Sequence, residues 1–361
     1  MKINIANNEV IHFIGIGGIG MSGLAQIMEN TGFTIQGSDS SKNKNTERLI
    51  KLGIKVYFGH HKKNLKKATM VVISSAVKKN NKELSEAKKR KLPIFRRGDM
   101  LANIVSLKKN IVVAGSHGKT TTTSLVANIL VEAGLDPTVI NGGVINSLRN
   151  TAQLGKGDWA VIESDESDGS FLKLPVTYSI VTNVDKEHLD FYGSFDKLKK
   201  CFCRFIDKTP SFGKSIICID NKNLKNLIKF FSTNNFLTYG FNKNSNYQII
   251  NVRKKIEHSV FDLQVNFIKS KIKIIKDIKV NLIGDHNISN ATAAIATALN
   301  LGIKINNIKK SLKKFTGIQR RFTKVFNWGK RDFYDDYAHH PTEIKAVIDG
   351  ARGVYKNRKI I

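Results

Sequence analysis

The sequence predicts an α/β protein built from parallel strands and covering helices. Three observations carry that expectation. Short apolar runs alternate with helix-compatible segments along most of the chain. Two of the runs enter glycine-bearing turns, at Gly15–Gly20 and Gly115–Thr121, and two later runs end in acidic clusters. With 361 residues, 41% of them hydrophobic, the chain can hold two or three domains of ~100–200 residues each.

In chain order, Val10–Ile14 reads as a buried strand, and an amphipathic helix follows the glycine turn and stops at Gly32. Strands are expected at Phe33–Gly37, Lys55–Phe58, Thr69–Ser74 and Pro93–Phe95, with helices at Thr46–Leu52, Lys82–Lys91 and Asp99–Leu107. Residues 1–107 therefore form a Rossmann-like domain. Gly15, Gly17 and Gly20 spell GxGxxG, and Asp39 follows about 20 residues later, as in a dinucleotide fingerprint. That signal alone suggests a pyridine-nucleotide oxidoreductase. The same glycines and helix start serve any diphosphate, and a second phosphate loop shifts the balance toward a nucleotide-linked substrate.

The second loop opens the next domain, residues 108–316. Ile111–Ala114 is a strand, Gly115-Ser116-His117-Gly118-Lys119-Thr120-Thr121 a phosphate loop, and Thr120–Ala133 a helix. Two glycines let the backbone turn its N–H groups toward an anion at the helix start. Lys119 suits the β- and γ-phosphates of ATP, and the Thr120 hydroxyl suits Mg²⁺. The spacing GxxGKTT is shorter than the common P-loop, so a helix that merely begins with Gly-Lys-Thr is the plain alternative. A short strand near Thr138–Ile140 should end in an Asn141-Gly142-Gly143 turn. Strand Trp159–Glu163 runs into ESDESDGSF, and strand Tyr178–Asn183 into TNVDKEHLDFYGS. Carboxylates at these strand ends face the ligand edge of a parallel sheet. Glu163 could hold Mg²⁺ with help from Asp165 or a hydroxyl, and Asp185, Glu187, His188 and Asp190 lie at the same edge. An acidic, solvated loop is the competing reading of the first cluster.

Residues 210–282 carry no nucleotide motif. Ser215–Ile219, Asn246–Val252 and Val260–Phe267 are expected as strands of a side sheet. An alanine-rich helix then opens at Gly284-Asp285-His286-Asn287 and runs to Leu301. Asn287 and Asn290, three residues apart, share one face of it and can meet a purine edge or a phosphate. A linker with Gly317-Ile318-Gln319-Arg320-Arg321-Phe322 leads to strand Asp332–Tyr334, the loop DDYAHHPTE, a helix to Ala351 and a strand starting at Arg358.

The formal charge of +30 invites a nucleic-acid reading. The lysines are scattered through every segment with no basic arm and no aromatic interleaving, so no specific nucleic-acid partner is expected. Cys201, Cys203 and Cys218 lack metal-ligand spacing and fit reduced thiols. The N-terminus does not read as a signal peptide, and no stretch approaches the ~20 apolar residues of a membrane span. A cytoplasmic protein is expected.

Taken together and in order, HFIGIGGIGMSG, SSAV, AGSHGKTTTT, ESDESDGSF, EHLDFYG, GDHNISNA, GIQRRF and DDYAHHPTE resemble the Mur ligase family over nearly the whole chain. The resemblance implies ATP-dependent joining of an amino acid to a UDP-linked muramic acid through an acyl phosphate. ESDESDGSF is more similar to the branch using UDP-N-acetylmuramate and L-alanine than to the branch recycling murein tripeptide. The resemblance also implies residue roles. Lys119 contacts phosphates, Thr120 and Glu163 hold one Mg²⁺, and His188 holds a second. Asn287 and Asn290 face the adenine, Arg321 the phosphates and Asp336 the ribose. Gly15, Gly17, Gly18, Gly20, Asp39 and Ser74 surround the UDP moiety. No lysine is assigned for the carbamylation found in some members. Residues 317–361 correspond to the start of a third, Rossmann-like, amino-acid-binding domain, expected to be incomplete. A nucleotide-binding protein without turnover is the reading from a different class.

Overall fold

The computed structural model describes residues 9–146, 150–266, 272–329, 331–356 and 358–361; Met1–Asn8 and Phe267, both within spans read above, lie outside them. Five strands, β1 (Val10–Ile14), β2 (Thr34–Asp39), β3 (Lys55–Phe58), β4 (Met70–Ile73) and β5 (Ile94–Arg96), form a parallel sheet in the order β3-β2-β1-β4-β5. Helices α1 (Ile19–Asn30), α2 (Lys44–Lys51), α3 (Lys82–Lys89) and α4 (Arg97–Val105) connect them. The order turns around at β1, so the glycine loop after β1 lies at a topological switch point, where α/β sheets place ligands.

The central unit begins with β6 (Lys109–Ala114), α5 (Lys119–Glu132), β7 (Thr138–Ile145), β8 (Asn150–Gln153), β9 (Trp159–Glu163) and β10 (Tyr178–Val181). Next come α6 (Leu189–Tyr192), α7 (Phe195–Asp207), β11 (Lys214–Cys218), α8 (Lys222–Leu227), β12 (Phe236–Gly240), β13 (Tyr247–Lys254), β14 (Ser259–Val265) and β15 (Lys273–Val280). Helices α9 (Asp285–Asn300) and α10 (Ile305–Lys314) close the unit. All its strands belong to one 10-stranded sheet, ordered β15-β14-β13-β12-β11-β10-β6-β9-β7-β8. The separate side sheet expected from the sequence is therefore a continuation of the main one. β11 and β12 extend it in parallel, β13 pairs in parallel with β12, and β13–β15 finish it as an antiparallel meander.

β6, β9 and β10 are mostly apolar and almost entirely buried, with α5 packed across β6 and β9. α9 packs on α5, and its run of alanines permits close approach. α1 of the first unit lies against β7 and β8, which brings the two glycine loops to one side of the molecule.

Three other expectations are corrected. Asn141-Gly142-Gly143 is not a turn but the middle of β7, where the pairing with β8 shifts register between Ile140 and Ile145. Glycine is needed there because a Cβ on Gly142 would sit 2.6 Å from a Glu163 carboxylate oxygen. Thr323–Trp328, read as a continuing linker, is strand β16; it pairs antiparallel with β17 (Arg331–Asp335) and precedes α11 (Pro341–Val354). Arg358–Ile361 contains no strand. None of the described helices is long and apolar enough to cross a membrane.

The ESDESDGSF loop is anchored from below by Phe171, fully buried between Phe202 and Phe205 of α7 at ring-centroid distances of 5.3 and 5.2 Å. Phe171→Ala should cost ~3–5 kcal/mol, the range for a large-to-small change that leaves a cavity. Urea unfolding followed by tryptophan fluorescence measures it. A loss below about 1 kcal/mol would mean the loop is held by its polar contacts alone.

Candidate active site

The phosphate loop sits between β6 and α5. Gly115 has φ 137°, where a side chain would collide with the Thr182 hydroxyl, and Gly118 caps α5 at φ 80°. The loop after β10 braces it. Asn183 accepts from the His117 N–H at 2.7 Å, Thr182 and Asn183 donate to the His117 carbonyl at 2.6 and 2.9 Å, and the Asp185 N–H donates to Ser116 Oγ at 2.9 Å. Lys119 folds back across the loop. Its Nζ donates to the carbonyls of Gly115 and Ser116 at 2.5 and 3.1 Å and to Glu166 Oε1 at 2.7 Å.

The end of β9 and the loop after it supply the facing carboxylates. Thr120 Oγ1 donates to Glu163 Oε1 at 3.0 Å, and the Gly142 N–H to Glu163 Oε2 at 2.5 Å. Glu163 is thus helped by a hydroxyl. Asp165 turns away, pairing with Arg97 at 3.1 Å and accepting from Ser167. The Arg97 guanidinium also lies over Gly20, with Nη1 3.0 Å from where a Cβ would stand, so one arginine ties the first glycine loop to the central unit.

His188 adopts the left-handed conformation (φ 54°) at the start of α6. Its ring joins Glu166 and Glu187, with potential ligand atoms of the three within 4.8 Å of one another, while Asp190 is exposed. The buried Glu166 Oε2 has no hydrogen-bond partner. A buried carboxylate oxygen left without a donor, beside a second carboxylate and an imidazole, fits a divalent cation. Glu166, Glu187 and His188 could thus hold one cation, and Thr120 with Glu163, hydrogen-bonded to each other, is the other pair with the chemistry to hold one. Burial pushes the Glu166 carboxyl up, opposed by the Lys119 charge.

Asn287 and Asn290 lie on one buried face of α9, 3.4 Å apart through their amides, and Asn290 packs on Gly118. With Thr121, Arg321 and Asp336 they line a cavity of about 350 Å³. Both Asp336 oxygens accept backbone N–H groups, from Phe322 at 2.7 Å and Ala338 at 2.8 Å, so this carboxylate also fixes the linker. A larger cleft, about 670 Å³, runs from Ile19 and Arg48 of the first unit past Lys119, Thr120, Glu163 and His188 to Arg321.

In the first unit, the Gly17 N–H donates to Asp39 Oδ2 at 2.8 Å, and Gly15 N donates to the Ser38 carbonyl at 2.8 Å. Ser74 packs against Gly15, and Gly18 caps α1. Asp39, buried, therefore secures the glycine loop. Sequence reasoning missed Glu166 and Arg97. Glu166 lies in the same acidic motif as Glu163, but its inward orientation depends on a backbone turn that residue type alone does not reveal.

Residues 10–109 match the Mur ligase family catalytic domain and residues 113–298 the Mur ligase middle domain. The chain belongs to the Mur ligase family. It is 59% identical over all 361 residues to UDP-N-acetylmuramate–L-alanine ligase of Pelagibacter ubique, covering 78% of that relative. It is 45% identical to the ligase of the same name from Brucella anthropi, covering 76% of it. Among solved structures it is similar to UDP-N-acetylmuramate–alanine ligase from Thermotoga maritima, with a TM-score of 0.84, 30% identity, and coverage of 97% of this chain and 79% of that one. A murein peptide ligase from Psychrobacter arcticus gives a TM-score of 0.81 at 26% identity, with 97% and 77% covered.

His117 joins the phosphate loop to the last helix: Nε2 lies 3.0 Å from Asp185, and Nδ1 lies 3.4 Å from Glu343. Burial alone would depress this imidazole, but the hydrogen bonds to Asp185 and Glu343 and the charge of Glu187 raise its pKa to about 9. A folded-state value above the ordinary 6.5 gives a contribution that is whole below pH 6.5 and is lost as pH climbs through 9. The thermal midpoint should therefore fall between pH 6.5 and 9 by differential scanning fluorimetry, and His117→Asn should flatten that slope. An equal slope in the variant would remove His117 from the account.

Proposed function

We propose that this chain joins L-alanine to UDP-N-acetylmuramate at the expense of ATP, through an acyl phosphate, in peptidoglycan precursor synthesis. The observation that carries the reading is the convergence of two phosphate-type loops on one cleft. Ile19, at the start of the first loop's helix, and Lys119 and Thr120 line the same space, so a nucleotide-linked acid and ATP can meet there. The tripeptide-recycling alternative has less support, because the 59% identity is to the alanine-adding ligase.

In this reading the UDP moiety lies on Gly15, Gly17, Gly18 and Gly20, on the side of Ser74, with Asp39 holding the loop. ATP phosphates occupy the turn from Gly115 to Thr121, the adenine lies toward Asn287 and Asn290, and the ribose toward Asp336. A carboxylate oxygen of the muramic acid attacks the γ-phosphorus and ADP leaves. The alanine amine then attacks the acyl carbon, loses a proton, and expels inorganic phosphate. Lys119 and the α5 N-terminus offset charge on the transferring group, and Arg321 approaches it from the linker. Mg²⁺ bound by Thr120 and Glu163, and by His188 beside Glu187, would neutralise phosphate charge and orient the oxygens. The unpaired thiols and nucleotide substrates support a cytoplasmic setting.

The test is phosphate release that requires both UDP-N-acetylmuramate and L-alanine. Lys119→Ala should lower that rate by on the order of 10²-fold or more while leaving the UDP-sugar dissociation constant within about twofold, because the sugar nucleotide is held by other residues. A parallel loss of UDP-sugar affinity would contradict the division of the cleft.

A further inference from the structure

Lys119 and Glu166 are each other's partner and are each committed elsewhere. The Lys119 ammonium directs its three N–H bonds at Glu166 and the carbonyls of Gly115 and Ser116. None is left for a phosphate. Glu166 is nearly buried, its side chain 4% exposed. Its Oε1 is occupied by Lys119, its Oε2 has no partner, and its backbone carbonyl is fixed by the Tyr192 hydroxyl. His188 Nε2 stands 3.8 Å from the same Oε1, and Glu187 completes the group. Three carboxylates, Glu163, Glu166 and Glu187, act on this one ammonium.

We propose that Glu166 has two partners in turn: it holds Lys119 in the nucleotide-free protein and becomes, with Glu187 and His188, a ligand of the divalent cation that arrives with ATP. The proposal rests on the ATP-dependent reading above. When the triphosphate enters, Lys119 exchanges Glu166 for phosphate oxygens. The released carboxylate is then an uncompensated charge in a buried site, which is costly unless a cation takes the ammonium's place. Without metal, nucleotide binding strands Glu166. Without nucleotide, metal binding strands Lys119. The exchange thereby couples the two ligands to each other through Glu166.

The experiment uses Mn²⁺ alone as a spin probe, titrated into the full chain without nucleotide, and separately ATP binding by calorimetry in excess EDTA. Glu166→Gln should weaken Mn²⁺ at least tenfold and tighten metal-free ATP at least threefold, because the amide gives the cation less and frees Lys119. A residue that only supports the fold would move both affinities the same way. Unchanged Mn²⁺ affinity, or loss of both ligands in a folded variant, overturns the exchange. Where Glu166→Gln does not fold, Lys119→Met tests the other half: releasing Glu166 should tighten Mn²⁺ at least threefold, and an unchanged value overturns the proposal. Wild-type protein that binds no ATP would refute the underlying reading and not this exchange alone.

Discussion

A lysine ammonium, 16% exposed, at the N-terminus of a helix is the constraint around which the site is assembled. Both the charge and the helix dipole are positive, so the surroundings must supply anions or the arrangement is too costly to fold. The sheet order supplies them. β6 leads into the phosphate loop, β9 lies on one side of it and β10 on the other. β9 ends in Glu163 and the loop after it delivers Glu166, while the loop after β10 delivers Asp185, Glu187 and His188. Because those strands are buried on both faces and parallel, all three loops emerge at the same edge, and their spacing is set by the backbone ladder.

The same requirement draws in the other two parts of the chain. Arg97 crosses from the first unit to Asp165, which belongs to the loop that follows Glu163 and carries Glu166. Glu343 of α11 and His340, which caps it, reach the His117 ring, with the two imidazoles tilted by 31° at 4.8 Å between centroids. The phosphate loop is therefore touched directly by α11, and the acidic loop beside it by the first unit. Arg320 and Phe322, with φ of 59° and 47° on either side of Arg321, show that the linker is bent into a conformation side chains disfavour, and Asp336 holds it there by accepting the Phe322 N–H.

Most of this was legible in the sequence where local chemistry decides the outcome. Val10–Ile14, Lys55–Phe58 and Trp159–Glu163 are strands with the expected bounds, because each is a β-rich run between turn signals. The glycine loops, Lys119 and the shared Asn287–Asn290 face follow from spacing, whereas the pairing of Thr120 with Glu163 is what the family resemblance implies. What was not legible depends on neighbours distant in sequence. The Gly142-Gly143 pair looks like a turn until Glu163 and Thr120 are seen pressing on it. The strands after residue 210 look like an independent sheet, because nothing local says that β11 pairs with β10. Asp39 fits a ligand contact by its position, yet it spends an oxygen on the Gly17 amide.

The central claim is that one site carries ATP and a carboxylic acid together and passes the γ-phosphoryl group between them. Labelling both carboxylate oxygens of UDP-N-acetylmuramate with ¹⁸O tests it most directly, with the released phosphate read by the isotope shift in ³¹P nuclear magnetic resonance. Transfer through an acyl phosphate should place one labelled oxygen in each phosphate formed. Phosphate free of label, with turnover intact, would contradict the account.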